Sequence, residues 1–177
     1  GKQADVHVRT VGAKRPLFRF DLSMIPAGAT VTRARLLLRT NYYQSRLSKF
    51  DADIYALRRP WSEAGATWQQ DGLGHNWGAG GADSTVTDRE ATPAASVLID
   101  QTDTWYEWDL TSLVQRWVNN PAGNHGFMIY ARGNTVEFRF WGAQYGTEDD
   151  RPVLIVDFLG DLAPAATATA TATNTPS

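Results

Sequence analysis

Along most of this chain apolar residues recur at every second position in short runs, and that rhythm restricts the fold more than any other feature. A run of this kind reads as an extended strand with one dry face, because successive side chains in a strand point to opposite sides. Val6 and Val8 sit between Asp5, His7 and Arg9, and Phe18 and Phe20 alternate with Leu17, Arg19 and Asp21. Ala34, Leu36 and Leu38 share a face opposite Arg33, Arg35 and Arg39, after the turn Ile25-Pro26-Ala27-Gly28. Six further runs cover 51–58, 96–100, 104–109, 126–132, 135–141 and 152–159. Nine short strands predict an all-β, jelly-roll-like antiparallel β-sandwich.

Three segments break the rhythm. Leu110, Leu113, Val114, Trp117 and Val118 fall at helical spacing after the capping candidate Thr111, which predicts one short helix ending before Pro121. From Gln69 to Thr92 the composition turns to Gly, Asp, Ser and Thr, predicting a long surface loop anchored by Trp77. After Asp161 the chain becomes low-complexity, with Thr at 167, 169, 171, 173 and 175 and Ala between four of these neighbours. The division expected is therefore a β-sandwich domain over 1–161 and a Thr/Ala/Pro-rich tail over 162–177. Such a tail serves either as a linker or as a strand, since strict Thr/Ala alternation suits an open sheet edge.

Composition narrows the function. A chain of 177 residues, 42% apolar, has room for one real core and needs neither disulfide nor metal to fold. With no cysteine, thiol redox chemistry is excluded. A net charge of −2 argues against a nucleic-acid partner. No apolar run reaches the roughly 18 residues of a membrane span. The start at Gly1, with no charged and apolar leader before the first alternating run, reads as a processed or excised chain.

Several segments in order resemble the DNRLRE-type domain, a jelly-roll β-sandwich, similar to carbohydrate-binding modules, of secreted bacterial proteins. They are 15–23 (Arg-Pro-Leu-Phe-Arg-Phe-Asp-Leu-Ser), Ile25 to Val31, Ala34 to Leu38, Trp61-Ser62-Glu63 with Thr67-Trp68, Trp108 to Thr111 with Leu113 to Trp117, Asn124 to Phe127, and Arg151 to Leu154. The likeness spans most of residues 4–159 and implies the sandwich fold and an extracellular or cell-surface, bacterial location. It also implies that Trp61, Trp68, Trp108 and Trp117 pack inside. Relatives of that type carry one more strand ahead of the segment resembling Gln3 to Thr10. Its absence here leaves unpaired backbone and apolar surface that something should cover.

Catalysis finds little support. Glu63 is the best single carboxylate, no second one pairs with it by pattern, and no nucleophile elbow, phosphate loop or paired-His motif is present. His7, His75 and His125 stand apart and read as surface or hydrogen-bonding residues, not zinc ligands. Asp71, Asp83 and Asp88 in the Gly-rich loop are candidates for a structural calcium, with solvated turn aspartates as the alternative. Tyr42, Tyr43, Trp77, Trp105 and Tyr145 are candidate rings for stacking on a sugar, while Trp141 is left between core and surface. The arginines at 33, 35 and 39 read as an outer face paired with acids on neighbouring strands.

Two functions follow as expectations. The first is a non-catalytic extracellular structural module, free of cofactors, that forms filaments or surface assemblies. In it, Thr167, Thr169, Thr171, Thr173 and Thr175 form a donor strand that enters a neighbouring copy head-to-tail, and the same threonines suit O-linked sugars. The alternative is a carbohydrate-binding module of a larger secreted enzyme or adhesin, with polysaccharide as its partner.

Overall fold

The alternating runs become strands in a computed structural model, which describes residues 4–9, 14–43, 49–133, 137–160 and 166–174. In chain order they are β1 (Asp5–Arg9), β2 (Leu17–Phe20), β3 (Thr30–Tyr43), β4 (Phe50–Ala56), β5 (Ala95–Ile99), β6 (Trp105–Asp109), β7 (Phe127–Gly133), β8 (Glu137–Trp141) and β9 (Val153–Leu159). One helix, α1 (Thr111–Asn119), follows β6, and a tenth strand, β10 (Ala166–Asn174), is built from the low-complexity tail. Every ladder is antiparallel.

The strands form two layers. In one, the long β3 pairs with β9, β6 and β8, and β8 carries β1 on its other side. The other runs β2, β7, β4, β5. Between them lies a core of alternate residues from both sheets, including Phe18, Phe20, Leu36, Leu38, Ile54, Phe127, Phe138 and Phe140. Trp108 is fully buried there, and its indole Nε1 donates across the layers to the Ala52 carbonyl at 2.9 Å. A buried indole thus fills volume and satisfies its one donor. The fold is the antiparallel β-sandwich that the period-two pattern implies.

Alternation also explains a second, smaller core. Leu17, Tyr55, Leu57 and Met128 point away from the main core, and Trp61, Ala66, Trp77 and Ala82 from the following segment cover them. The long segment between β4 and β5 is therefore a third layer laid over the outer face of the second sheet. On the opposite outer face Arg33 and Arg35 reach Glu107, at 3.2 and 3.7 Å, and Arg39 reaches Asp103 and Asp150. The two Glu107 pairs are the cross-strand pairs expected of an outward ridge, whereas Asp103 and Asp150 lie in the connections ahead of β6 and β9.

Two local expectations need correction. Thr111 is the first helical residue and Leu110 is the cap. The Thr111 hydroxyl accepts from Ala34 N–H at 3.0 Å on the edge of β3, so the Asp109 carboxylate takes Thr111 N–H at 2.9 Å instead. A charged acceptor is the stronger of the two. Trp61, Trp108 and Trp117 are buried as the resemblance implies, but Trp68 is 40% exposed. It lies on the outside of the third layer against Gly80 and Gly81, with the Arg15 guanidinium 5.1 Å from its ring centre. A side chain on added glycine Cβ atoms would overlap that ring, so the Gly-Gly pair makes its seat.

Candidate functional site

β10 is the feature that sets this sandwich apart, because among the described strands its ladder alone reaches both layers. Ala166 to Thr171 pair with Phe158 to Val153 of β9, and Ala172 to Asn174 pair with Phe20 to Phe18 of β2. Without it, β9 and β2 would each present a free edge. Unpaired backbone at such edges is costly in water and invites another strand.

Register shows why this sequence suits that place. Ala168 and Ala170 stand opposite Val156 and Leu154, which are buried. Thr167, Thr169 and Thr171 stand opposite Asp157, Ile155 and Val153, the half-exposed alternates of the same strand. Small residues thus take the positions that face core residues across the ladder, and β-branched residues take the others. Thr173 pairs with Arg19, and Thr175 lies outside the described residues. In this structure the tail completes its own chain's sandwich. The sequence pattern marks the tail but not its acceptor, the β9 edge from Val153 to Phe158 and the β2 edge from Phe18 to Phe20. Alternation marks these runs as strands, yet nothing local in them says which side lacks a neighbour.

Asp71, Asp83 and Asp88 are hubs of the third layer rather than one cluster. Asp88, fully buried, accepts from Gly78, Ala79 and Ser84 N–H at 2.9, 3.0 and 3.1 Å and from the Thr87 hydroxyl at 3.0 Å. Asp71 accepts from Leu73 N–H at 2.7 Å and Arg59 Nη2 at 2.6 Å, with the His75 ring at 3.2 Å. Burial pushes both carboxyls up, but these donors outweigh it and hold both below the usual carboxylate range. Asp83 pairs with Arg15 at 3.0 Å and Arg89 at 2.8 Å. No group of three metal-ligating side chains occurs among the described residues. Asp71 and Asp88 accept from backbone N–H groups and Asp83 from two arginines, which is how a segment poor in aliphatics is held.

The aromatic candidates separate. Trp77 is 6% exposed and donates from Nε1 to the Thr67 carbonyl at 3.0 Å, so its ring anchors the layer and offers no open face. Trp105 is 39% exposed on β6. Tyr145 stacks on Trp141 with centroids 3.6 Å apart, which settles Trp141 as half-buried surface. Tyr42 and Tyr43 pair with β8 through their backbones, and their rings lie outside the described side chains. Two histidine rings have hydrogen-bonding partners, His7 Nδ1 at 2.9 Å from Glu137 and His75 Nδ1 at 3.2 Å from Asp71, while His125 is half-buried and its backbone carbonyl accepts from Trp61 Nε1 at 2.8 Å. Glu63 is half-buried in the turn that opens the third layer.

Residues 3–156 match the family described as Disaggregatase related repeat domain. The match begins just ahead of β1 and ends within β9, so β10 lies beyond it. No curated protein matches the chain. No helix among the described residues is long and apolar enough to cross a membrane.

Proposed function

The chain belongs to the Disaggregatase related repeat domain family, and from that premise we propose that it is a non-catalytic structural module of an extracellular or cell-surface bacterial assembly. Its copies are joined head-to-tail by β10. The observation that carries this reading is the ladder of β10, which spans the β9 and β2 edges while lying outside the family-matched segment. A strand that closes its own sandwich can close the same slot in a second copy, since the receiving backbone is identical. The tail brings little apolar area, so docking leans on backbone hydrogen bonds, each worth about 0.5–1.5 kcal/mol net. Bonds of that size let a strand exchange rather than lock.

Deleting residues 163–177 tests the proposal. The full chain is expected to show multi-copy mass by light scattering, and the shortened chain a single-copy mass. Filaments or multimers that persist unchanged after the deletion would overturn it. Thr167, Thr169, Thr171, Thr173 and Thr175 are also proposed carriers of O-linked sugars. Intact mass above that of the bare polypeptide supports this, and the bare mass removes it.

Exposed rings support a second reading, a carbohydrate-binding module. Trp105 and Trp68 offer large ring area at the surface, of the kind that stacks on sugars. Polysaccharide pull-down that weakens at least ten-fold in Trp68→Ala or Trp105→Ala supports it, and no retention of the intact chain on any polysaccharide opposes it.

A further inference from the structure

The tail leaves and enters the sandwich at the same end, and this fixes how two copies that share it must meet. β9 ends at Leu159, and β10 begins at Ala166 opposite Phe158. The turn before β3 lies at that pole, since Thr30 pairs with Leu159. Together Pro26 to Thr30, Leu159 and Gly160 line an open cleft of about 540 Å³. Leu159 in its lining is 54% exposed, and Met24, two residues ahead of Pro26, is 76% exposed.

Six residues, 160–165, connect Leu159 to Ala166. Fully extended, they reach about 25 Å. A tail that enters a second copy in the register seen here starts opposite that copy's Phe158, so its own Leu159 lies no farther than that reach from the acceptor's pole. An end-to-end stack, with the donor's pole set on the acceptor's far end, would require the same connection also to run the length of β9, about another 23 Å. Resting on the strand-sharing proposal, we infer that the pole formed by Met24, Pro26 to Thr30, Leu159 and Gly160 is the docking surface for a second copy of this chain. Copies sit side by side with these poles together, and the assembly grows around or along them. The occupant is fixed by the short connection that issues from this surface, and the exposed Met24 and Leu159 are the apolar area it covers. Serial exchange, each tail entering the next copy, winds the poles around a common line.

The chain has no cysteine, so single-cysteine variants of the full-length protein report the arrangement directly. Met24→Cys places a thiol at the pole and Asp149→Cys places one just ahead of β9 at its other end, both at exposed positions. Light scattering of each variant is paired with cross-linking by a flexible bis-maleimide. Multi-copy mass, with Met24→Cys cross-linked at least ten-fold more than Asp149→Cys and the product lost in Met24→Cys/Thr169→Pro, supports the inference. Tail-dependent multimers in which only a mixture of Met24→Cys and Asp149→Cys cross-links overturn it and leave strand sharing intact, because that pattern is end-to-end. Single-copy mass at all concentrations overturns both.

Discussion

Two stretches of this chain are poor in large aliphatics, the segment from Arg58 to Ala94 and the Thr/Ala tail, and they are held in place by opposite means. The first carries its own anchors. Trp61 and Trp77 are buried, Asp71 and Asp88 gather backbone N–H groups, and a second core forms over the outside of a finished sheet. The tail is described by its backbone pairing. Its place is set by a ladder to β9 and β2, so its position belongs to whichever sandwich supplies those two edges. Anchoring by side chains ties a segment to one chain, and anchoring by backbone register leaves it free to be shared.

Trp77→Ala should sharpen that contrast most. Removing a buried indole costs about 3–5 kcal/mol, measured by denaturant unfolding, while the multi-copy mass of the folded protein should stay as it is. A change in assembly would mean that the two segments are coupled. Asp88→Ala comes next, because it strands three backbone donors at about 1–3 kcal/mol each. A loss of about 3 kcal/mol is expected by the same measurement, again without effect on assembly. Thr169→Pro should behave in the reverse sense. Proline in the middle of β10 disrupts the ladder and frees the β9 and β2 edges, so the body loses about 0.5–1.5 kcal/mol for each ladder hydrogen bond released, and the multi-copy mass should vanish.

Acid should separate the segments more gently. Asp71 and Asp88 have folded-state values below the ordinary one. The stability they confer is fully present above about pH 4, the value of a free aspartate. It is lost as pH falls through their lowered values. Unfolding curves between about pH 4 and pH 2 should therefore fall less steeply in Asp88→Asn than in the natural chain. Equal slopes would deny Asp88 its role as an acceptor. Residues 162–177 contain no carboxylate side chain, so no Asp or Glu of the tail contributes to that fall.

The body of the fold was legible because alternation is a local signal that the sandwich satisfies directly. Val6 and Val8, Leu36 and Leu38, and Phe138 and Phe140 all face the core as their spacing implies. The helix was legible for the same reason. Its cap was not, because the Thr111 hydroxyl is committed to β3, a partner 77 positions away. Trp68 and Trp77 could not be told apart by composition, since which ring lies beneath the third layer depends on the Gly80–Gly81 seat and the Thr67 carbonyl. The tail could be read as a potential strand, but the edges that receive it are defined only once both sheets are assembled.

Amide hydrogen exchange on the full chain, compared with Thr169→Pro, tests most directly whether β10 closes the sandwich. Slow exchange is expected at β9 from Val153 to Phe158 and at β2 from Phe18 to Phe20 in the natural chain. In the variant these edges should lose protection while β4 and β7 keep theirs. Equal protection of the β9 and β2 edges in both proteins would show that β10 pairs with neither edge and would contradict the account.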